Sequence, residues 1–178
     1  MAFGRRKPKI VRQPIVVRGT YPNQVWAIDF QFDETVDGRP VKILNVTAEF
    51  TREALATNAA RRITAAGAMA VLDQICEQRG SPQFLRMDNG PEFIADTLRD
   101  WFKEQNIKAN YCDPGSPRNR RQQNGRIESF NPKLRDELLT REVFDLMWEI
   151  RFMLEGYRNN CRPHSALSYQ TPVEFATK

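Results

Sequence analysis

The 178 residues hold a single histidine, His164, and only three cysteines. Cys76, Cys112 and Cys161 are far apart and form no Cys-x-x-Cys pair. The chain therefore lacks the ligand spacing of a structural zinc site, and three reduced thiols in a reducing compartment are expected. No apolar run approaches the roughly 20 residues that a membrane-spanning helix needs. The basic start, Met1 to Arg18, has no apolar stretch of the kind that makes a signal peptide. No repeat and no low-complexity segment interrupts the chain. These absences point to a cytoplasmic protein with no membrane association.

What is present is enough for one core. Hydrophobic residues are 40% of the chain and charged residues 28%, a balance that excludes a disordered chain. The net charge of +5 is unevenly spread. Arg5, Arg6, Lys7, Lys9 and Arg12 crowd the start, and Arg118, Arg120, Arg121 and Arg126 crowd a later loop. Each cluster is either a solvated segment or a contact for a polyanion.

Residues 1–21 are basic and aperiodic and are expected to form an arm or linker; residues 22–178 form the domain. From Val25 to Asp33 the sequence alternates. Trp26, Ile28, Phe30 and Phe32 fall on one strand face, and Ala27, Asp29, Gln31 and Asp33 on the other. Asp37-Gly38 signals a hairpin turn into a second strand, Val41 to Thr47, and Thr51 to Thr57 suits a third. Ala68, Val71, Leu72, Ile75 and Cys76 have helical spacing, stopped at Arg79-Gly80. Gln83 to Met87 is a short strand, Asn89-Gly90 a turn and Pro91 a helix start. Ile94, Leu98, Trp101 and Phe102 stripe that helix, and Ile107 to Tyr111 is a fifth strand. Helices are expected around Ile127 to Leu139 and from Thr140 onward. The order predicts an α/β fold, a mixed five-stranded sheet flanked by helices on both faces.

Two aspartates stand where backbone geometry makes them useful. Asp29 lies on the strand face opposite Trp26, where a carboxylate needs water, a cation or a partner. Asp88 ends a strand just before a tight turn, and sites form at the carboxyl ends of strands in open α/β sheets. Glu128 stands near a helix start. Three carboxylates without histidine or cysteine suit a hard cation such as Mg²⁺ or Mn²⁺. Spacing alone leaves ordinary strand-end acids as the alternative.

The surrounding motifs add a resemblance. Pro22-Asn23-Gln24-Val25-Trp26-Ala27-Ile28-Asp29 resembles the first-aspartate segment of bacterial insertion-sequence transposases, and Asp88-Asn89-Gly90-Pro91-Glu92-Phe93 their second-aspartate motif. Pro114-Gly115-Ser116-Pro117, followed by Gln123-Asn124-Gly125-Arg126-Ile127-Glu128-Ser129-Phe130-Asn131, resembles the block that bears the glutamate. Arg162-Pro163-His164-Ser165-Ala166-Leu167 and Thr171-Pro172-Val173-Glu174-Phe175 look like the C-terminal signature. Together they run from Pro22 to Phe175 in the family's order.

The resemblance to this retroviral-integrase superfamily implies an RNase H-like catalytic core. It carries a metal-binding D-D-E triad onto Asp29, Asp88 and Glu128, with two Mg²⁺ or Mn²⁺ ions. The implied function is DNA transposition or integration, by cleavage and joining of DNA strands, in the bacterial cytoplasm. The implied partners are element ends, target DNA and further copies of the chain. Arg118, Arg120, Arg121, Arg126, Lys133 and Arg135 are the candidate phosphate contacts; solvated surface cations are the alternative for Lys133 and Arg135. Asn89, Asn124 and Gly125 are candidate supporting residues.

The chain departs from the family pattern in four places. The 39 residues at positions 89–127 exceed the usual spacing by Arg118-Asn119-Arg120-Arg121, which reads as an insertion. Pro132 stands where a small residue is usual, and a proline there cannot donate to the Glu128 carbonyl in a continuous helix. Ala48 occupies a position that is often aspartate. The upstream DNA-recognition domain usual in the family does not lie within these 178 residues, so a fragment or a decayed copy is expected. The second and first of these make a catalytically impaired DNA-binding remnant the alternative reading.

Overall fold

The computed structural model describes residues 17–88, 96–111 and 167–177. β1 (Val25–Glu34) and β2 (Pro40–Ala48) form an antiparallel hairpin, and β3 (Ala54–Ala60) pairs antiparallel with β2. Helix α1 (Ala65–Arg79) leads to β4 (Phe84–Met87), and α2 (Asp96–Glu104) leads to β5 (Lys108–Tyr111). β4 lies parallel to β1, and β5 parallel to β4. The sheet order is β3-β2-β1-β4-β5, with β1 at its centre. A short helix, α3 (Pro172–Ala176), ends the described chain.

Local chemistry explains the boundaries. At the β1–β2 turn, the Thr35 hydroxyl donates to Asp37 Oδ1 at 2.6 Å, and Gly38 takes a positive φ of 72° that suits a residue without Cβ. The Arg39 guanidinium beside Asp37 holds that carboxyl well below the usual carboxylate range. Helix α1 starts where the Thr64 hydroxyl accepts from the Gly67 N–H. It stops where Gly80, at φ 79°, donates its N–H to the Cys76 carbonyl.

β3 starts three residues later than its sequence pattern suggests. Arg52 adopts a positive φ of 63°, and the tight turn is closed by Arg52 N–H to the Ala48 carbonyl and Ala48 N–H to the Glu53 carbonyl. Thr51 thus belongs to the turn, and a register shift between Val46 and Thr47 absorbs the offset. Helix α3 was not legible as a helix in a signature read for its family pattern. A capping box between Thr171 and Glu174 starts it, with Pro172 in its first turn. Phe175 packs edge-on against Phe50, ring centroids 5.7 Å apart, which ties the chain's end to the β2–β3 turn.

One face of the sheet packs on both long helices. Trp26, Ile28, Leu44, Val46, Leu85 and Met87 meet Ala68, Leu72 and Ile75 of α1 and Leu98, Trp101 and Phe102 of α2. The Trp101 indole N–H donates to Asp73 Oδ1 at 2.6 Å, which joins the two helices. Phe30 reaches this core only in part, and Phe32, on the same face, is 62% exposed. Burial ends there because β1 runs on past the helices. Lys42 lies over the Phe30 ring at 3.8 Å, a cation on an aromatic face. Leu72 is 1% exposed at the centre of this core. Leu72→Ala is expected to cost roughly 2–5 kcal/mol through lost burial and a residual cavity, read by urea unfolding.

Both faces of β2 are buried from Val41 to Val46. The helices expected around Ile127 to Leu139 and from Thr140 lie outside the described residues. So do the arm residues Arg5 to Arg12. Among the described residues no helix is long and apolar enough to cross a membrane.

Candidate active site

The second face of the sheet carries the polar chemistry. Ile28 and Phe30 face the core, so Asp29 between them projects from the opposite side, with Ala27 and Gln31. Met87 is likewise buried in the core, so Asp88 projects with Arg86 from that same opposite side. The parallel register pairs Val25 with Phe84, Trp26 with Leu85 and Ala27 with Arg86. Asp29 lies two residues beyond Ala27 within β1, and Asp88 lies two residues beyond Arg86, directly after the end of β4. Both are half-buried. Asp29 Oδ1 accepts the Phe30 N–H at 3.0 Å. β1 and β4 are parallel neighbours within the sheet, with β1 at its centre.

A row of side chains extends this face across β2 and β3. Asn45 is the cross-strand partner of Asp29 and is fully buried. It pairs in turn with Thr57 of β3. The Thr57 hydroxyl donates to Asn45 Oδ1 at 3.0 Å, and Asn45 Nδ2 donates to Gln31 Oε1 at 3.5 Å. Gln31 is 8% exposed, and its Nε2 is buried with no acceptor among the described residues.

Behind the aspartates, Arg86 and Glu49 form a buried ion pair. Arg86 also donates to the Val17 carbonyl, so the incoming chain is held against the sheet. A Cβ on Gly19 would come within 3.1 Å of the Glu49 Cβ, a closeness that favours glycine there. A second charged contact, Arg79 to Glu53 at 2.8 Å, links the end of α1 to the β2–β3 turn, and the Thr51 hydroxyl donates to the other Glu53 oxygen.

Sequence reasoning did not single out Asn45, Thr57, Glu49 or Arg86. Asn45 had a signal, being a polar residue at the centre of the apolar strand Val41–Val46. Glu49 and Arg86 had none, because their pairing joins residues 37 positions apart.

Of the sequence-expected site residues, the described structure contains Asp29, in β1, and Asp88, directly after β4. Glu128 lies outside the described residues, as do Arg118, Arg120, Arg121, Arg126, Lys133, Arg135, Asn89, Asn124 and Gly125. Pro132, His164, Cys112 and Cys161 also fall outside. Among the described residues no cluster of three metal-binding side chains occurs. The donor set on this face is nonetheless all oxygen at Asp29 and Asp88, which suits a hard divalent cation.

Comparison with known proteins agrees with this architecture. Residues 19–117 and 105–172 each match an integrase core domain model. The chain is 37% identical to an uncharacterized 31.7 kDa protein of insertion element IS407 from Burkholderia multivorans, over 100% of its own length and 65% of the relative's. It is 34% identical to an uncharacterized 39.2 kDa protein of insertion element IS476 from Xanthomonas euvesicatoria, over 96% of its length and 51% of that relative's. The chain therefore spans between about half and two thirds of these relatives. The HTLV-2 integrase catalytic core domain, solved in complex with magnesium in a dimeric form, superposes with a TM-score of 0.67 at 16% identity. That likeness covers 89% of this chain and 99% of the HTLV-2 chain, and shows the RNase H-like fold. By its domain models, its insertion-element relatives and its sheet, the chain belongs to the integrase core domain family, as a catalytic core of the bacterial insertion-sequence type.

Proposed function

We propose that this chain is the catalytic core of a DNA-transposing enzyme that cuts and joins DNA strands. Asp29, Asp88 and Glu128 are its metal-binding carboxylates. What supports this reading is the parallel β1–β4 register, which pairs Ala27 with Arg86 and, continued two residues further, would bring Asp29 beside Asp88. Mg²⁺ or Mn²⁺ fits the oxygen-only donors, and magnesium accompanies the HTLV-2 neighbour. A pair of such ions, when bound, polarises a phosphodiester and stabilises the leaving oxygen.

The chain's own residues then have distinct tasks. Asp29 and Asp88 supply ligand oxygens from the sheet. Arg118, Arg120, Arg121, Arg126, Lys133 and Arg135 supply cations for the DNA backbone. Cutting two ends of one element calls for more than one copy of the chain, in keeping with the dimeric form of the HTLV-2 neighbour.

Binding to duplex DNA in a salt series, with Mn²⁺-dependent nicking of the same duplex, tests the proposal. The logarithm of affinity should fall against the logarithm of salt by about one unit for each phosphate contact. Nicking should appear only with the divalent ion. Salt-insensitive binding would reject the DNA interface. Steeply salt-dependent binding without metal-dependent nicking would mark the chain as a DNA-binding remnant.

A further inference from the structure

Two consecutive residues other than glycine, Ser168 and Tyr169, take positive φ values of 56° and 61°. The Gln170 N–H donates to the Leu167 carbonyl at 3.1 Å, so the two are the central pair of a tight turn. A turn with positive φ at both central positions ordinarily carries Asn-Gly, because a Cβ crowds the backbone there. Serine and tyrosine are strained in it, and the bulky tyrosine the more so. Such strain persists only where the surroundings over-determine the conformation. Here they do. Leu167 is buried before the turn and Pro172 after it. The capping box between Thr171 and Glu174 fixes the chain that follows, and Phe175 rests on Phe50.

The strain does not serve the core. Tyr169 is 78% exposed, more than any other large hydrophobic side chain among the described residues. What the turn achieves is display of an aromatic ring.

The charge at this corner of the sheet is positive. Its acids Glu49, Glu53 and Glu174 are each engaged inside the protein, Glu49 with Arg86, Glu53 with Arg79, and Glu174 with the Thr171 N–H. Arg18 is exposed, and Gly19 beside it lies against Glu49 and Phe50. The sequence leading into Arg18 carries Arg5, Arg6, Lys7, Lys9 and Arg12. An open aromatic ring at a corner with surplus positive charge suits a single strand of nucleic acid. Its phosphates meet cations while an unpaired base stacks on the ring.

We propose that Tyr169 is a stacking platform for an unpaired base of DNA, displayed by the Leu167–Gln170 turn. This rests on the reading of the chain as DNA-acting. The contact uses the π-face of the ring and neither the hydroxyl nor any charge.

The test is binding of the full chain to a single-stranded DNA oligonucleotide carrying 2-aminopurine, whose fluorescence is quenched when an aromatic ring stacks on it. Tyr169→Phe should keep both affinity and quenching. Tyr169→Leu, apolar but without a π-face, should lose the quenching and bind about fivefold or more weakly. The slope of log affinity against log salt should stay the same, because no phosphate contact is removed. Tyr169→Gly suits the positive φ, so it should lose binding as Tyr169→Leu does while unfolding at the same urea concentration as the parent chain or a higher one. Unchanged affinity and quenching in Tyr169→Leu, with the parent chain binding DNA, overturns this inference alone. If Tyr169→Leu does not fold, the same result in Tyr169→Gly overturns it. A Tyr169→Leu chain that binds DNA normally but no longer self-associates in sedimentation makes the turn a contact between copies, and overturns it as well. A parent chain that binds no DNA overturns the DNA-acting reading, and this inference with it.

Discussion

Asp29→Asn, and separately Asp88→Asn, should reduce Mn²⁺-dependent nicking of duplex DNA by about a thousandfold or more, equivalent to roughly 4 kcal/mol in the activation barrier. Each change keeps the size of the side chain and removes its charge, so the loss reports the ligand and not the packing. The fold should survive. Both side chains are half-buried on the face away from the Trp26–Leu72 core, and neither belongs to the hydrophobic cluster. Neither side chain belongs to the packed core, so the metal-free variants should unfold at about the same urea concentration as the parent chain. Activity retained by either variant would remove that aspartate from the site. Activity lost together with the circular dichroism spectrum would assign it to the fold instead.

Arg86→Met should be the most damaging single change outside the hydrophobic core. Arg86 and Glu49 are 3% exposed each, and their ion pair lies wholly inside the protein. Removing the guanidinium leaves the Glu49 carboxylate in a low-dielectric setting without its counter-charge, and takes away the donor to the Val17 carbonyl. Breaking a buried pair from one side costs about 3–5 kcal/mol. For a domain of this size that lowers the melting temperature by roughly 6–20 °C. The double variant Arg86→Met with Glu49→Leu should recover much of the loss, because two apolar side chains of similar volume replace a pair whose attraction barely offsets its desolvation. A single variant as stable as the parent, or a double variant no better than the single, would show that the pair is not what secures this corner.

The strands were largely legible because β-structure writes its period into the sequence. β1 alternates Trp26, Ile28 and Phe30 with Ala27, Asp29 and Gln31, and the structure keeps that parity. The end of α1 was legible in the same local way, with Gly80 after the last turn, whereas its Thr64 cap was not singled out. Legibility failed where a local signal had a competitor. Thr51 has strand propensity, yet the left-handed Arg52 makes the tight turn and delays β3 to Ala54. Phe32 shares its face with Ile28, but the sequence has no way to say that α1 and α2 stop covering that face before it.

For the site, the sequence alone determined which residue types stand at the strand positions. Asp29 lies on the face away from Trp26, Asp88 ends a strand, and the flanking motifs name the family to which both belong. Those facts depend on neighbours a few residues apart, and a period-2 backbone settles them. Only the tertiary structure decided which residues meet. The parallel register of β1 on β4 pairs Ala27 with Arg86, 59 positions apart in the chain, and the antiparallel register of β1 on β2 sets Asn45 across from Asp29. It also joins Arg86 to Glu49 and Phe175 to Phe50. Register is fixed by which apolar faces are buried together and by how each turn closes, and shifting a strand by one residue would turn every side chain to the wrong face. That choice is made by the whole core at once, and no local stretch of sequence carries it.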